Sequence, residues 1–333
     1  MKNLKKIAIS AVVLLVCAVC VACGGGARTK QAEGGIVVII EPLRYIVEGI
    51  MGVDAEIEGT EGAGDQTERT AGLGVQTERT VGSGTQIEVL VPAGASPETY
   101  EPTPAQIAAV ERAQLVFGTG LLDFERSLLG EMAEKQSFVN LSTGIELIEG
   151  ELSHSDDEHH AHHSTGEHTH HEHRHGIDPH IWMSPKSLII MADTAYERIH
   201  ELYPDSLAYT ARYERLRDSL VALDAAVEAK IAGSAHKSFL IFHPGLTYLS
   251  RDYGLRQIAL EQDGKEPSAR QLAEVIDLAR TEKISKILYQ SEFPRSMVEV
   301  VAGEIGAEPV EIDILGADVP RNILTVTDLI VAE

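Results

Sequence analysis

Ten of the fourteen histidines crowd into one short stretch: His154, His159, His160, His162, His163, His168, His170, His171, His173 and His175. Asp156, Asp157, Glu158, Glu167 and Glu172 are mixed among them. Neutral imidazole is a borderline ligand suited to Zn, Cu, Ni or Co. The stretch has no apolar periodicity and cannot form a packed core, so it reads as a mobile loop. A dense flexible array of this kind should capture metal through many weak, exchanging sites. Within it His171-Glu172-His173-Arg174-His175 matches H-E-x-x-H letter for letter. The zincin chemistry needs both histidines on one face of a buried helix, beside an open metal position. Flanks that are polar and His-rich on both sides supply no such face, so a peptidase reading fails.

Four histidines lie outside the loop. His200, on an expected helix, and His236, near a helix end, read as structural. His180 sits in Asp178-Pro179-His180-Ile181-Trp182-Met183-Ser184-Pro185, between a turn and a helix start and beside the single Trp. His243 stands immediately past the apolar run Phe239–Phe242. Asp313 follows Val310-Glu311-Ile312, Glu292 follows another expected strand, and Glu98 lies in the loop after Ile87–Val91. In parallel α/β sheets ligands gather at the carboxyl ends of strands. Glu98 and His180 from one lobe, with His243 and Asp313 from the other, would make a four-ligand N/O metal site.

The elements that must carry these residues alternate. Ile36–Ile40 reads as a buried parallel strand, followed by a short helix over Leu43–Met51. Strands are expected at Ile87–Val91, Leu115–Phe117 and Phe138–Leu141, with helices from Pro104 and Asp123. Ser184-Pro185 pairs an N-cap residue with Pro at the first helical position. A second helix opens at Asp205–Ser206 and runs to about Ala232, closed by Gly233. Its stripe of Tyr209, Tyr213, Leu216, Leu220, Leu223, Val227 and Ile231 repeats every three or four residues. Beyond it strands at Phe239–Phe242, Arg256–Leu260, Ile284–Tyr289 and Pro309–Ile312 alternate with helices. The expected fold is α/β: two parallel-sheet lobes joined by one long rigid helix, with the metal site in the cleft between them.

One segment departs from this pattern. Residues 59–86 carry a ten-residue repeat (GAGDQTERT, GLGVQTERT, then a decayed GSGTQIEVL reaching Leu90). It offers little to bury and reads as an exposed insertion. The third Gly of a dinucleotide fingerprint is missing at Thr67 and Thr77, which excludes that motif.

The three cysteines, Cys17, Cys20 and Cys23, all fall in the first 23 residues. Lys2, Lys5 and Lys6 precede an uncharged apolar run, Ile7 to Ala22, which is the secretory signal pattern. Ala22-Cys23-Gly24 looks like a bacterial lipobox, with Cys20 where such boxes usually carry Leu. Cys23 would then be lipidated, and ordinary cleavage nearby is the alternative. The expected division is a signal peptide over 1–22 and a tether over 23–35. An N-terminal lobe over 36–183 contains the repeat insertion and the His-rich loop (154–175). Helices span 184–233, and a C-terminal lobe covers 234–333. With 28 basic and 51 acidic residues the net charge is −23. Loss of the three leader lysines makes it −26. That balance argues against nucleic-acid binding, which needs clustered Lys and Arg, and favours attraction of cations. With at most one mature cysteine, neither a disulfide framework nor a thiolate metal site is available.

Asp178–Pro185, Phe242-His243 with Tyr253-Gly254-Leu255, Glu266-Pro267-Ser268 and Glu311–Leu315 resemble the zinc/manganese ABC-transporter solute-binding lipoproteins. The resemblance covers nearly everything after Ile36 except the repeats. It implies two lobes on a rigid helix that clasp one metal ion and deliver it to a membrane permease. It also implies an exported, lipid-anchored, monomeric protein of the bacterial envelope. His180, His243 and Asp313 match family ligands. The family pattern P-H-x-Y-E-P is here Pro97-Glu98-Thr99-Tyr100-Glu101-Pro102, with Glu98 in the His place. A two-His, two-carboxylate set is harder and leans toward manganese or iron, whereas the His-rich loop leans toward zinc. Zinc is the expected cargo and manganese the alternative. A surface adhesin would also suit the repeats and the anchor. A zinc hydrolase needs an open coordination position and a general base, which no ordered motif supplies.

Overall fold

A computed structural model of the chain describes residues 35–52, 79–81, 85–132, 137–149, 176–261 and 268–332. The leader, Cys23, the tether, most of the repeat segment and the ten loop histidines lie outside the described residues. So do Glu266 and Pro267. Among the described residues no helix is long and apolar enough to cross a membrane.

The first sheet contains β1 (Ile36–Val38), β2 (Arg79–Val81), β3 (Thr85–Val89), β4 (Leu115–Gly118) and β5 (Phe138–Asn140), in the order β2-β3-β1-β4-β5. Strand β1 pairs in parallel with β3 and β4, Ile36 lying beside Ile87 and Leu115. Every residue of β1 and β4 is buried, as expected of continuous apolar runs covered on both faces. Around them stand α1 (Glu41–Met51), α2 (Pro104–Arg112) and α3 (Asp123–Met132). The second sheet contains β6 (Ser238–Ile241), β7 (Arg256–Ala259), β8 (Lys286–Gln290) and β9 (Glu308–Ile312), in the order β7-β6-β8-β9, all parallel. Its helices are α6 (Thr247–Tyr253), α7 (Ala269–Glu282), α8 (Arg295–Ile305) and α9 (Val319–Val331).

Between the sheets run α4 (Pro185–Leu202) and α5 (Leu207–Ala232). At 1.5 Å per residue, the 26 residues of α5 extend about 39 Å. Ser206 caps it, accepting from Tyr209 N. Tyr209, Leu216, Leu220, Leu223, Val227 and Ile231 are its buried stripe, and the helix packs on α1, α4 and α9. The core follows the pleat of the second sheet. Phe239, Ile241 and Leu288 join the large core shared with the first lobe. Leu240, Phe242, Ile287 and Tyr289 face a separate cluster beneath α7 and α8.

Two elements differ from expectation. Residues 79–81 lie within the segment read as an exposed insertion, yet form β2, antiparallel to β3, and β3 itself begins at Thr85. An edge strand needs only backbone pairing on one side, so a polar repeat can supply it. The first sheet is therefore parallel with one antiparallel edge. Helix α9 was not anticipated; Asp318 caps it and Pro320 occupies its first turn.

Candidate metal centre

His180 and His243 are buried, at 4% and 7% exposure, and their rings approach to 5.1 Å between centroids. Glu98 completes a cluster in which one ligand atom from each residue lies within 4.8 Å of the others. Its Oε2 stands 3.2 Å from His243 Nε2. A tetrahedral zinc with bonds of about 2.0–2.1 Å spaces its donors roughly 3.3 Å apart. The Glu98–His243 separation matches that spacing, and the N,N,O donor set suits a borderline cation in chemistry.

Each ligand is set by its own element. Glu98 lies in the loop after β3, which is tied down from α2. Gln106 donates Nε2 to Leu90 O at 2.6 Å, accepts from Tyr100 OH at 2.9 Å, and closes a capping box with Thr103. His180 precedes a short 3-10 turn, Ile181–Met183. There Trp182 is fully buried and donates Nε1 to Ile314 O at 2.8 Å, joining this segment to the loop after β9. His243 stands two residues past β6, with Phe293 stacked on its ring at 5.2 Å. Its own carbonyl accepts from Gln290 Nε2 at 2.9 Å. Gly245 beside it leaves room for two side chains: a Cβ there would meet Ile314 Cδ1 at 2.8 Å and Gln290 Nε2 at 2.9 Å, and both would have to shift.

Both imidazoles are held through Nδ1. Asp178 Oδ1 accepts from His180 Nδ1 at 3.0 Å and from its backbone N at 2.9 Å. Glu261 Oε2 lies 3.0 Å from His243 Nδ1. A carboxylate only accepts, so each Nδ1 has a partner for its proton, in the tautomer that leaves Nε2 with a lone pair; for His243, Glu98 beside Nε2 is a competing acceptor. Burial pushes the His180 imidazole down, but the adjacent Asp178 charge and hydrogen bonds, helped by Glu98 and Glu292, outweigh it and leave the ring above its ordinary value. Burial likewise pushes Asp178 up, and His180 more than offsets this, holding the carboxyl below the usual range.

The cleft, about 270 Å³ including its mouth, is lined by Ser96, Pro97, Glu98, His180, His243, Gln290, Glu292, Phe293, Ile314 and Leu315. Of the four expected ligands, three converge and one does not. Asp313 follows β9 directly but is exposed and outside the cluster. Its Oδ1 accepts from Leu315 N at 3.0 Å, and its Oδ2 lies over Gly316. Glu292 lines the cleft instead. Glu261, Gln290 and Phe293 were missed, although the strand-end rule that singled out His243 applies equally to β7 and β8. The described residues that flank the His-rich segment pair with each other. Glu149 and Ile177 form an antiparallel bridge, and Asp178 N donates to Ile148 O at 2.9 Å.

The chain is 28% identical over 236 residues to the zinc-binding lipoprotein AdcA of Streptococcus pneumoniae serotype 4 (strain ATCC BAA-334 / TIGR4), a match covering 69% of this chain and 44% of that protein. It is 30% identical over 219 residues to the high-affinity zinc uptake system protein ZnuA of Bacillus subtilis (strain 168), covering 63% of this chain and 65% of that one. The matches therefore span about half to two thirds of these relatives' length. A crystal structure of ZnuA superposes with a TM-score of 0.68 at 27% identity, over 90% of this chain and 98% of the other. Residues 72–326 match the family model described as "ZnuA: Zinc-uptake complex component A periplasmic". The chain belongs to the ZnuA family.

Proposed function

We propose that the chain is the extracytoplasmic binding component of an ABC importer, one that captures Zn(II) in the interlobe cleft and passes it to a membrane permease. One observation carries the reading. Glu98 Oε2 and His243 Nε2 are 3.2 Å apart, and Glu261 Oε2 stands 3.0 Å from Nδ1, placed to accept the ring proton there. With the ring proton on Nδ1, the two lone pairs facing each other at that distance repel, and a cation bound by both relieves the repulsion. His180 supplies the third donor from a second carboxylate-held ring. Asp313 would have to swing off Gly316 to become a fourth ligand. Nothing in the arrangement resembles an enzyme's nucleophile with its base, and a cargo site needs none. Names of relatives that carry the words zinc-binding and zinc uptake support the metal.

The His-rich loop would collect metal at the mouth of the same cleft, because its two ends are pinned a few residues from His180. Export and anchoring through Cys23 would place the protein in the bacterial envelope as a monomer.

Manganese is the second reading, favoured by Glu98. Replacing an imidazole by a carboxylate hardens the donor set. The test uses protein lacking residues 154–175 and purified without added metal, compared with the same protein carrying E98A, H180A and H243A. One tightly held zinc in the first and none in the second is expected. Equal zinc in both would end the cleft assignment, and manganese in place of zinc would select the second reading.

A further inference from the structure

His243 has two carboxylate neighbours competing for a single ring proton. Glu98 Oε2 lies 3.2 Å from Nε2 and Glu261 Oε2 lies 3.0 Å from Nδ1. If Glu98 took the proton, the nitrogen facing the cleft would become an N–H donor with no lone pair for a metal. The two competitors differ in surroundings. The Glu98 side chain is 35% exposed, that of Glu261 only 10%. A hydrogen bond in the drier position is the stronger one. Glu261 is also held in register with its target. It stands two residues past β7, the strand beside β6, and its backbone N donates to Phe242 O at 2.8 Å.

We infer that Glu261 is the positioning residue of the cleft: it claims the Nδ1 proton of His243 against the competition of Glu98, and thereby keeps Nε2 open to a divalent cation. The inference rests on the metal-site reading. It extends the site beyond its ligands to a side chain whose role is to prevent Glu98 and His243 from closing on each other. Asp178 does the same for His180, but from two residues away along the chain, where local geometry already favours the contact. Glu261 acts across strands and faces a rival acceptor. Loss of such outer partners typically costs about 10–100-fold in metal affinity.

The experiment compares wild type, E261A and E261Q, each metal-free and at mildly alkaline pH. Long-range proton–nitrogen spectra of the histidine rings give the tautomer, and competition against a chromogenic chelator gives the zinc affinity. Wild type should show His243 protonated at Nδ1. E261A should move the proton to Nε2 and weaken zinc binding about 10–100-fold. E261Q, whose amide oxygen still accepts, should keep the Nδ1 proton and recover most of the affinity. Retention of the Nδ1 tautomer in E261A would overturn the inference, as would a tautomer switch without weaker zinc binding. Should E261A fail to fold, E261D withdraws the carboxylate by one methylene and must show a raised Nε2–H population. Failure of wild type itself to bind zinc would refute the proposed function, while the metal-free spectra would still decide the role of Glu261.

Discussion

Glu98 and His243 meet across the cleft at 3.2 Å, one from the loop after β3 and the other from the end of β6. It brings a candidate metal-binding group of the first lobe against one of the second, and it exists because a carboxylate occupies position 98. Glu98→Gln keeps the shape and removes the charge. Zinc affinity should fall by more than the ~10–100-fold that outer-shell losses cost. Glu98→His should restore a three-imidazole set and raise the preference for zinc over manganese. Competition titrations with both metals on both variants give the answer. An unchanged zinc-to-manganese ratio in Glu98→His would mean that Glu98 is a bystander.

Trp182 is the largest side chain in the segment that carries His180, and its indole N–H reaches Ile314 O in the other lobe. Trp182→Phe leaves that carbonyl without its donor and opens a cavity in the shared core. A loss of about 2–4 kcal/mol is expected in urea unfolding. Because Trp182 also packs on His180 at 5.2 Å, the variant should bind zinc more weakly than stability alone explains. Wild-type affinity at reduced stability would separate the two roles.

Gly245 follows His243 and Pro244 in a turn where a Cβ would crowd two neighbouring side chains. Gly245→Ala would press its Cβ on Ile314 and on Gln290, the residue holding the His243 carbonyl. Overpacking of this kind costs about 1–3 kcal/mol. The strain falls on the support of a ligand, so zinc affinity and melting temperature should drop together. A variant that lost stability but bound normally would show that the turn relaxes away from His243.

The elements were legible where chemistry is periodic. The stripe from Tyr209 to Ile231 and the cap at Ser206 mark α5, and the apolar runs mark β1, β4 and β6. His180 and His243 were legible because a strand end or a turn before a helix fixes where a residue stands. Asp313 shows the limit of that reasoning. Its position past β9 is as expected, yet its side chain turns back onto its own loop, which no spacing rule encodes. Glu261 and Gln290 stand at strand ends that the same rule covers, but their partners are not legible. Their roles lie in hydrogen bonds between neighbouring strands, and strand order in the sheet is not written in the order of the chain.

Tyr248 couples the site to alkaline pH. It is fully buried, donates its hydroxyl to Asp178 O at 2.8 Å and accepts from Ile148 N at 3.2 Å. Burial, aided by the Asp178 charge, pushes the phenol up to about 12 against an ordinary value of about 10. Below pH ~10 the phenol is protonated in folded and unfolded chains alike, and its contribution is complete. Between ~10 and ~12 the unfolded chain ionises while the folded one does not, so stability falls as pH rises, by at most about 1.4 kcal/mol per pH unit from this group. Tyr253, held by Asp224 and also shifted upward, adds to the same decline. Tyr213, beside Asp193 and pushed up to about 12, adds to it as well, and Tyr248→Phe removes one of these components. Its stability should be lower than wild type near neutrality, because Ile148 N and Asp178 O lose a partner, and should fall less steeply above pH 10. Parallel stability curves for the two proteins from pH 10 to 12, measured by urea unfolding, would contradict a buried, protonated Tyr248 as the source of the slope.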